Sequence, residues 1–312
     1  VFIMEVSENQ SVGEEMEKAV TEYRDLAAAG DPEAQLCLGV CYRQGKGVEQ
    51  DDAQAFYWVR CATERGYASA QIYLAECYSE GCGTERDAAL AAEWIRRAAE
   101  QGCVEGQSLL GHCYLEGFGV EEDPEHAEPW LQKAAEQEDS DAYLALAACY
   151  FSGKGVEKDN AKGAMYCKRA AEAGCVKALS HLGFCYMHGK GVVKDLNTAE
   201  EYLRRAIETG DEQGWEEAEE QSKAHLLLAE TSYARYVRDD LSLSALDIAN
   251  CIPLIGIASW AVTFALGAGE KAKLKEFLKT VEGRSMLEHL QIAADLENEE
   301  AVSVLKKCRR AE

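Results

Sequence analysis

His181, Cys185 and His188 stand at i, i+4 and i+7, which would set two imidazoles and a thiol along one side of a helix. Nitrogen and sulfur donors so placed could hold zinc. Gly-Lys-Gly triplets at residues 45–47, 153–155 and 189–191 suggest a second chemistry, because glycine-rich turns carrying lysine can cradle phosphate. The 13 cysteines suggest a third, disulfide formation.

Each fails on its spacing. A phosphate loop needs Gly-x4-Gly-Lys followed by Ser or Thr; Gly183 is one residue too far from Gly189-Lys190, and Gly191 comes next. Cys185 has counterparts at Cys41, Cys77, Cys113 and Cys149, so it belongs to a ladder of equivalent positions. Equivalent positions on stacked helices lie about 10 Å apart, beyond the reach of a disulfide. These thiols are expected to act as small buried hydrophobes. No zinc-protease, nucleophile-elbow or paired Cys-x2-Cys motif occurs, and no carboxylate pair sits in an apolar run that would tune it for acid–base work. The chain reads as non-enzymatic, with no catalytic residue, cofactor or metal.

The elements that carry these residues repeat. Gly45-Lys46-Gly47, Gly81-Cys82-Gly83, Gly117-Phe118-Gly119, Gly153-Lys154-Gly155 and Gly189-Lys190-Gly191 are each 36 residues apart, the mark of stacked supersecondary units. Before each turn, Ala34, Leu38 and Tyr42 recur as Ala70, Leu74, Tyr78, as Gly106, Leu110, Tyr114, as Ala142, Leu146, Tyr150 and as Ala178, Leu182, Tyr186. The i, i+4, i+8 spacing predicts one face of a helix, helix A. Gly39, Ala75, Gly111, Ala147 and Gly183, beside the leucines, would let a second helix approach closely. After the turn, Asp51, Asp87, Asp123, Asp159 and Asp195 suit the N-cap of that second helix, helix B, and Pro124 suits its first turn. Helix B carries Ala55, Trp58 and Ala62 with their equivalents, and ends at Gly66, Gly102, Gly174 and Gly210, with Glu138 the exception.

This pattern resembles the Sel1-like repeat, a branch of the tetratricopeptide-like superfamily, over residues 14–210. The resemblance implies an all-α solenoid, a right-handed superhelix of antiparallel helix pairs with a concave groove, and a scaffold or adaptor role. Toxin-neutralising immunity proteins and host-interaction factors are among the roles it implies. It also implies that helix A lines the groove. Positions of helix A outside the frame then become candidates for recognition. Tyr73, His112, Leu115, Phe151, His181, Phe184, Met187 and His188 are apolar, aromatic or imidazole where a solvated face would carry charge, and such types favour binding hot spots.

Composition narrows the partner. A net charge of −24 with pI near 4.7 argues against nucleic acid and against an anionic membrane surface. A protein or peptide partner of basic character would be attracted. The odd cysteine count and an opening Val1-Phe2-Ile3-Met4-Glu5 unlike a signal peptide suggest a reducing cytoplasm; a periplasmic or secreted chain with its signal removed is the alternative. The resemblance raises one more rival, a secreted cysteine-rich hydrolase-like branch stapled by cysteines eight apart, for which only Cys167 and Cys175 have the spacing.

In order, residues 1–11 read as a flexible lead, 12–30 as an N-terminal capping helix and 31–210 as five repeats. Residues 211–312 read as a degenerate repeat with a long apolar insertion at about 239–283 and a C-terminal cap. Residues 248–269 are uncharged and approach transmembrane length. A cap over the open end of the stack is the expected role; a partner-binding element or the anchor of a membrane-tethered assembly factor are the alternatives.

Overall fold

The computed structural model describes residues 2–213, 218–240 and 281–296, with residues 301, 302, 305, 306 and 308. The stretch 248–269 and residues 241–280 of the insertion lie outside the described residues. The chain divides into two compact units, Val1–Glu157 and Lys158–Glu312.

The first unit holds α1 (Phe2–Ala29), α2 (Pro32–Gln44), α3 (Asp52–Glu64), α4 (Ala68–Glu80), α5 (Ala88–Glu100), α6 (Val104–Glu116), α7 (Pro124–Glu136) and α8 (Ser140–Ser152). α1 begins at Phe2 and so includes residues 2–11, which the sequence reads as a flexible lead. Helices α2, α4, α6 and α8 are the A helices and pack on the B helices α3, α5 and α7. Leu38, Leu74, Leu110 and Leu146 are at most 1% exposed. Burial of each contributes about 2–3 kcal/mol.

Caps fix the helix ends. The Asp51, Asp87 and Asp123 carboxylates accept the backbone N–H groups of Gln54, Leu90 and His126 at 3.0, 3.0 and 3.2 Å, stabilising amides that have no partner inside the helix. At the other end of each A helix the first turn glycine takes a left-handed conformation and donates its N–H to the carbonyl of the ladder cysteine. The second glycine has a different task. A Cβ at Gly83, Gly119 or Gly155 would overlap the carbonyl of Asp52, Ala88 or Pro124, in the first turn of the preceding B helix. Backbone therefore meets backbone at each step of the stack.

A buried glutamine ladder adds polar register. Gln35, Gln71 and Gln107 are 4–6% exposed. Gln107 donates to the Ala99 carbonyl at 3.4 Å and accepts from Gln137 at 2.9 Å. Gln71 accepts from Gln101 at 2.9 Å, and Gln35 donates to the Ala27 carbonyl at 3.1 Å. Each amide thus ties the start of an A helix to the end of a B helix.

Glu138 has φ 64°, the one positive φ outside glycine among the described residues, at the place where Gly66 and Gly102 end their B helices. That left-handed conformation strains any residue with a Cβ. Glu138→Gly is therefore expected to stabilise the protein by about 1 kcal/mol, read as a higher urea midpoint at unchanged slope. No gain would mean that Glu138 makes a compensating contact.

The second unit holds α9 (Asn160–Glu172), α10 (Val176–His188), α11 (Leu196–Gln213), α12 (Ala218–Asp240) and α13 (Val281–Asp295). α10 packs on α9, α11 and α12, and α13 packs on α12. Asp159 and Asp195 cap α9 and α11, and a Cβ at Gly191 would overlap the Asn160 carbonyl. α11 runs through Gly210 to Gln213, past the glycine at which the repeat pattern would end helix B. α12 reaches 23 residues.

Candidate functional site

The residues proposed for recognition divide by burial. On α10, Phe184 is 37% exposed and its ring lies 4.3 Å from that of His188. His181 and His188 are exposed as well. Surrounding protein, then Lys194 and Lys190, hold the His188 pKa below its usual value, so this imidazole is neutral near pH 7. Met187 is different. It is 2% exposed, packs with Leu196 and Ala199, and its Sδ accepts the Thr231 hydroxyl at 3.2 Å.

In the first unit, Tyr73 on α4, His112 on α6 and Phe151 on α8 are half-buried. Leu115, at the end of α6, is 9% exposed and belongs to the core. Leu115 and Met187 occupy the position after the repeat tyrosine, and both are corrected from groove to interior for the same reason. This position meets the next A helix: α6 packs on α8, and α10 on α12. In the first repeat it is filled by Arg43, whose guanidinium bridges Glu76 at 2.7 Å and Glu80 at 2.6 Å on α4. An ion pair occupies the seam there; Leu115 and Met187 occupy it in the third and fifth repeats.

The turn lysine also finds a structural role. Lys154 Nζ lies 2.5 Å from the Leu115 carbonyl and 2.9 Å from Glu122, reaching the turn of the preceding repeat. A cation at the C-terminal end of α6 neutralises the partial charge of its unsatisfied carbonyls.

The ladder cysteines Cys41, Cys77, Cys113, Cys149 and Cys185 are buried free thiols. Burial pushes Cys77 up to about 12, and Cys113 and Cys185 up to about 11, which suppresses the reactive thiolate. Cys167 is pushed up to about 12 and donates its S–H to the Ala178 carbonyl at 3.4 Å. Cys185 is 2% exposed whereas His181 and His188 are at the surface, so their helical spacing does not bring them to one point. Among the described residues no group of three or more His, Cys, Asp or Glu is placed to hold a metal ion. No described helix is long and apolar enough to cross a membrane.

Sequence reasoning missed the carbonyl contact of the second glycine, the glutamine ladder and the seam between A helices. The ladder alone left a trace, glutamine repeated at 35, 71 and 107 directly after the frame residue.

The Sel1 repeat family profile matches residues 32–67, 68–103, 104–139, 140–175 and 176–211, more than half of the chain. A Sel1 repeat protein of Oxalobacter formigenes is similar in structure: TM-score 0.62 and 28% identity, covering 74% of this chain and 87% of that one. The protein c5321, a protective antigen of uropathogenic Escherichia coli with an SLR fold, is 25% identical over 90% of this chain and 73% of its own, at a TM-score of 0.45. No curated protein matches the chain significantly. Sel1 repeats generally mediate protein–protein interaction. With five consecutive matches, and glycine turns, aspartate caps and helix pairs in the same frame, the chain belongs to the Sel1 repeat family.

Proposed function

We propose that this protein is a non-enzymatic scaffold that holds a partner protein or peptide on the exposed positions of its A helices. Phe184 and His188 on α10 form the anchor in the second unit. The observation that supports this reading is the exposure of Phe184, 37%, in a ring held 4.3 Å from His188. An aromatic side chain already fixed by its neighbour loses little conformational freedom on binding, which favours affinity. In the first unit, Tyr73, His112 and Phe151 have the same exposed-edge character, each half-buried on an A helix.

The net charge of −24 supports a basic partner, a positively charged toxin among the candidates, drawn in by long-range attraction that raises the association rate. Affinity capture from the native cell tests the reading. Phe184→Asp is expected to lose the captured partner at least tenfold while keeping its helicity and melting temperature, and 0.5 M salt should weaken capture by the wild type. A partner retained by Phe184→Asp moves the site off α10.

A further inference from the structure

His225 on α12 and His289 on α13 meet inside the second unit. Their Nδ1 atoms are 2.7 Å apart, and the ring centroids 5.0 Å. His225 is 4% exposed, and Met286 and Leu290, either side of His289 on α13, are 5% and 2% exposed. A nitrogen pair at this separation is an N–H···N hydrogen bond: one ring carries its proton on Nδ1 and the other offers a lone pair. Two imidazolium rings would each present a proton to the other, so the contact cannot survive double protonation.

The charges around the pair do not replace that bond. From α11, Asp211 favours the protonated form of His225, while Arg204 opposes protonation of His289. Glu288, beside His289 on α13, favours protonation of that ring. Burial outweighs them and keeps both rings neutral, with His225 held at about 4 and His289 below its usual value.

We propose that the His225–His289 contact is a pH-operated latch that holds α13 on α12 while both rings are neutral and releases it on acidification. His225, Ala229 and Ser232 are buried at i, i+4 and i+7 on α12, so the latch residue belongs to a buried stripe of that helix. Each ring takes one proton from solvent and no other chemistry is involved. The sign follows from linkage. A histidine whose pKa is lower in the closed state stabilises that state fully above the free value near 6.5, and this stabilisation is lost as pH falls towards the lowered value. With two such rings, closing weakens by up to 100-fold per pH unit within that window.

Amide hydrogen exchange on the full chain tests the latch, with rates corrected for the intrinsic effect of pH and helices α3–α7 as internal reference. Protection of residues 281–295 relative to α3–α7 is expected to fall at least tenfold between pH 7.5 and pH 5 in the wild type, and to stay flat in His225→Phe/His289→Leu. Equal behaviour of α13 and the reference in the wild type, or the same fall in the double variant, overturns the proposal. Should the double variant fail to fold, histidine ring NMR on the wild type decides: the latch requires His225 to titrate well below 6.5, and a value at or above that overturns it.

Discussion

Gly119→Ala is expected to cost about 3 kcal/mol, whereas Gly117→Ala, two residues earlier in the same turn, should cost about 1 kcal/mol. Both glycines have positive φ, 65° and 72°, so an alanine at either carries the same backbone strain. They differ in what a Cβ would meet. At Gly117 the nearest atom is the Glu122 Cβ at 3.4 Å, an ordinary contact at the edge of what the turn tolerates. At Gly119 the new atom would overlap the Ala88 carbonyl, and the Ala92 Cβ would crowd it at 2.8 Å. Neither of those neighbours can swing aside, since both belong to the frame of α5. The difference of about 2 kcal/mol between the variants is thus the cost of prising one repeat from the next. Urea titration with helicity as the signal measures it. Because repeat stacks are held by nearest-neighbour interfaces, Gly119→Ala should also broaden the transition. Equal costs for the two variants would mean that the second glycine serves only the turn.

The frame of the fold was open to sequence reading because it is written in side chains at fixed offsets. Leu110, Tyr114 and Asp123 announce a helix, its end and the next cap without any reference to distant residues. The stacking contact was closed to it. Gly119 answers to a backbone carbonyl in the first turn of α5, and a carbonyl has no signature in the sequence. The candidate surface was only half legible for a related reason. Phe184 and Met187 are three residues apart on one helix, and helical spacing assigns both to the same side. Which of them is covered depends on where α12 lies, beyond the last of the five 36-residue repeats. Likewise His225 and His289 are brought together by the topology of the last helices, across an intervening stretch that carries no repeat frame to count through.

That distinction between Phe184 and Met187 has a measurable consequence. Met187→Asp is expected to destabilise the second unit by at least about 4 kcal/mol, because it sets a carboxylate among Leu196, Ala199 and Leu227, beside a Thr231 hydroxyl that already donates to the Leu227 carbonyl. In a unit of this size that corresponds to a fall in melting temperature of roughly 10 °C. Met187→Leu, which keeps the volume, should cost less than about 1.5 kcal/mol. Phe184→Asp, at a position 37% exposed, should stay within about 1 kcal/mol of the wild type. Thermal melts of the three variants side by side give the answer. A Met187→Asp protein as stable as the wild type would place this side chain at the surface and restore it to the apolar track along helix A. With the expected ranking, loss of a partner in Met187→Asp reflects a disordered core, and the same loss in Phe184→Asp reflects a surface the partner touches. The substitutions are three residues apart, and only the second can report on recognition.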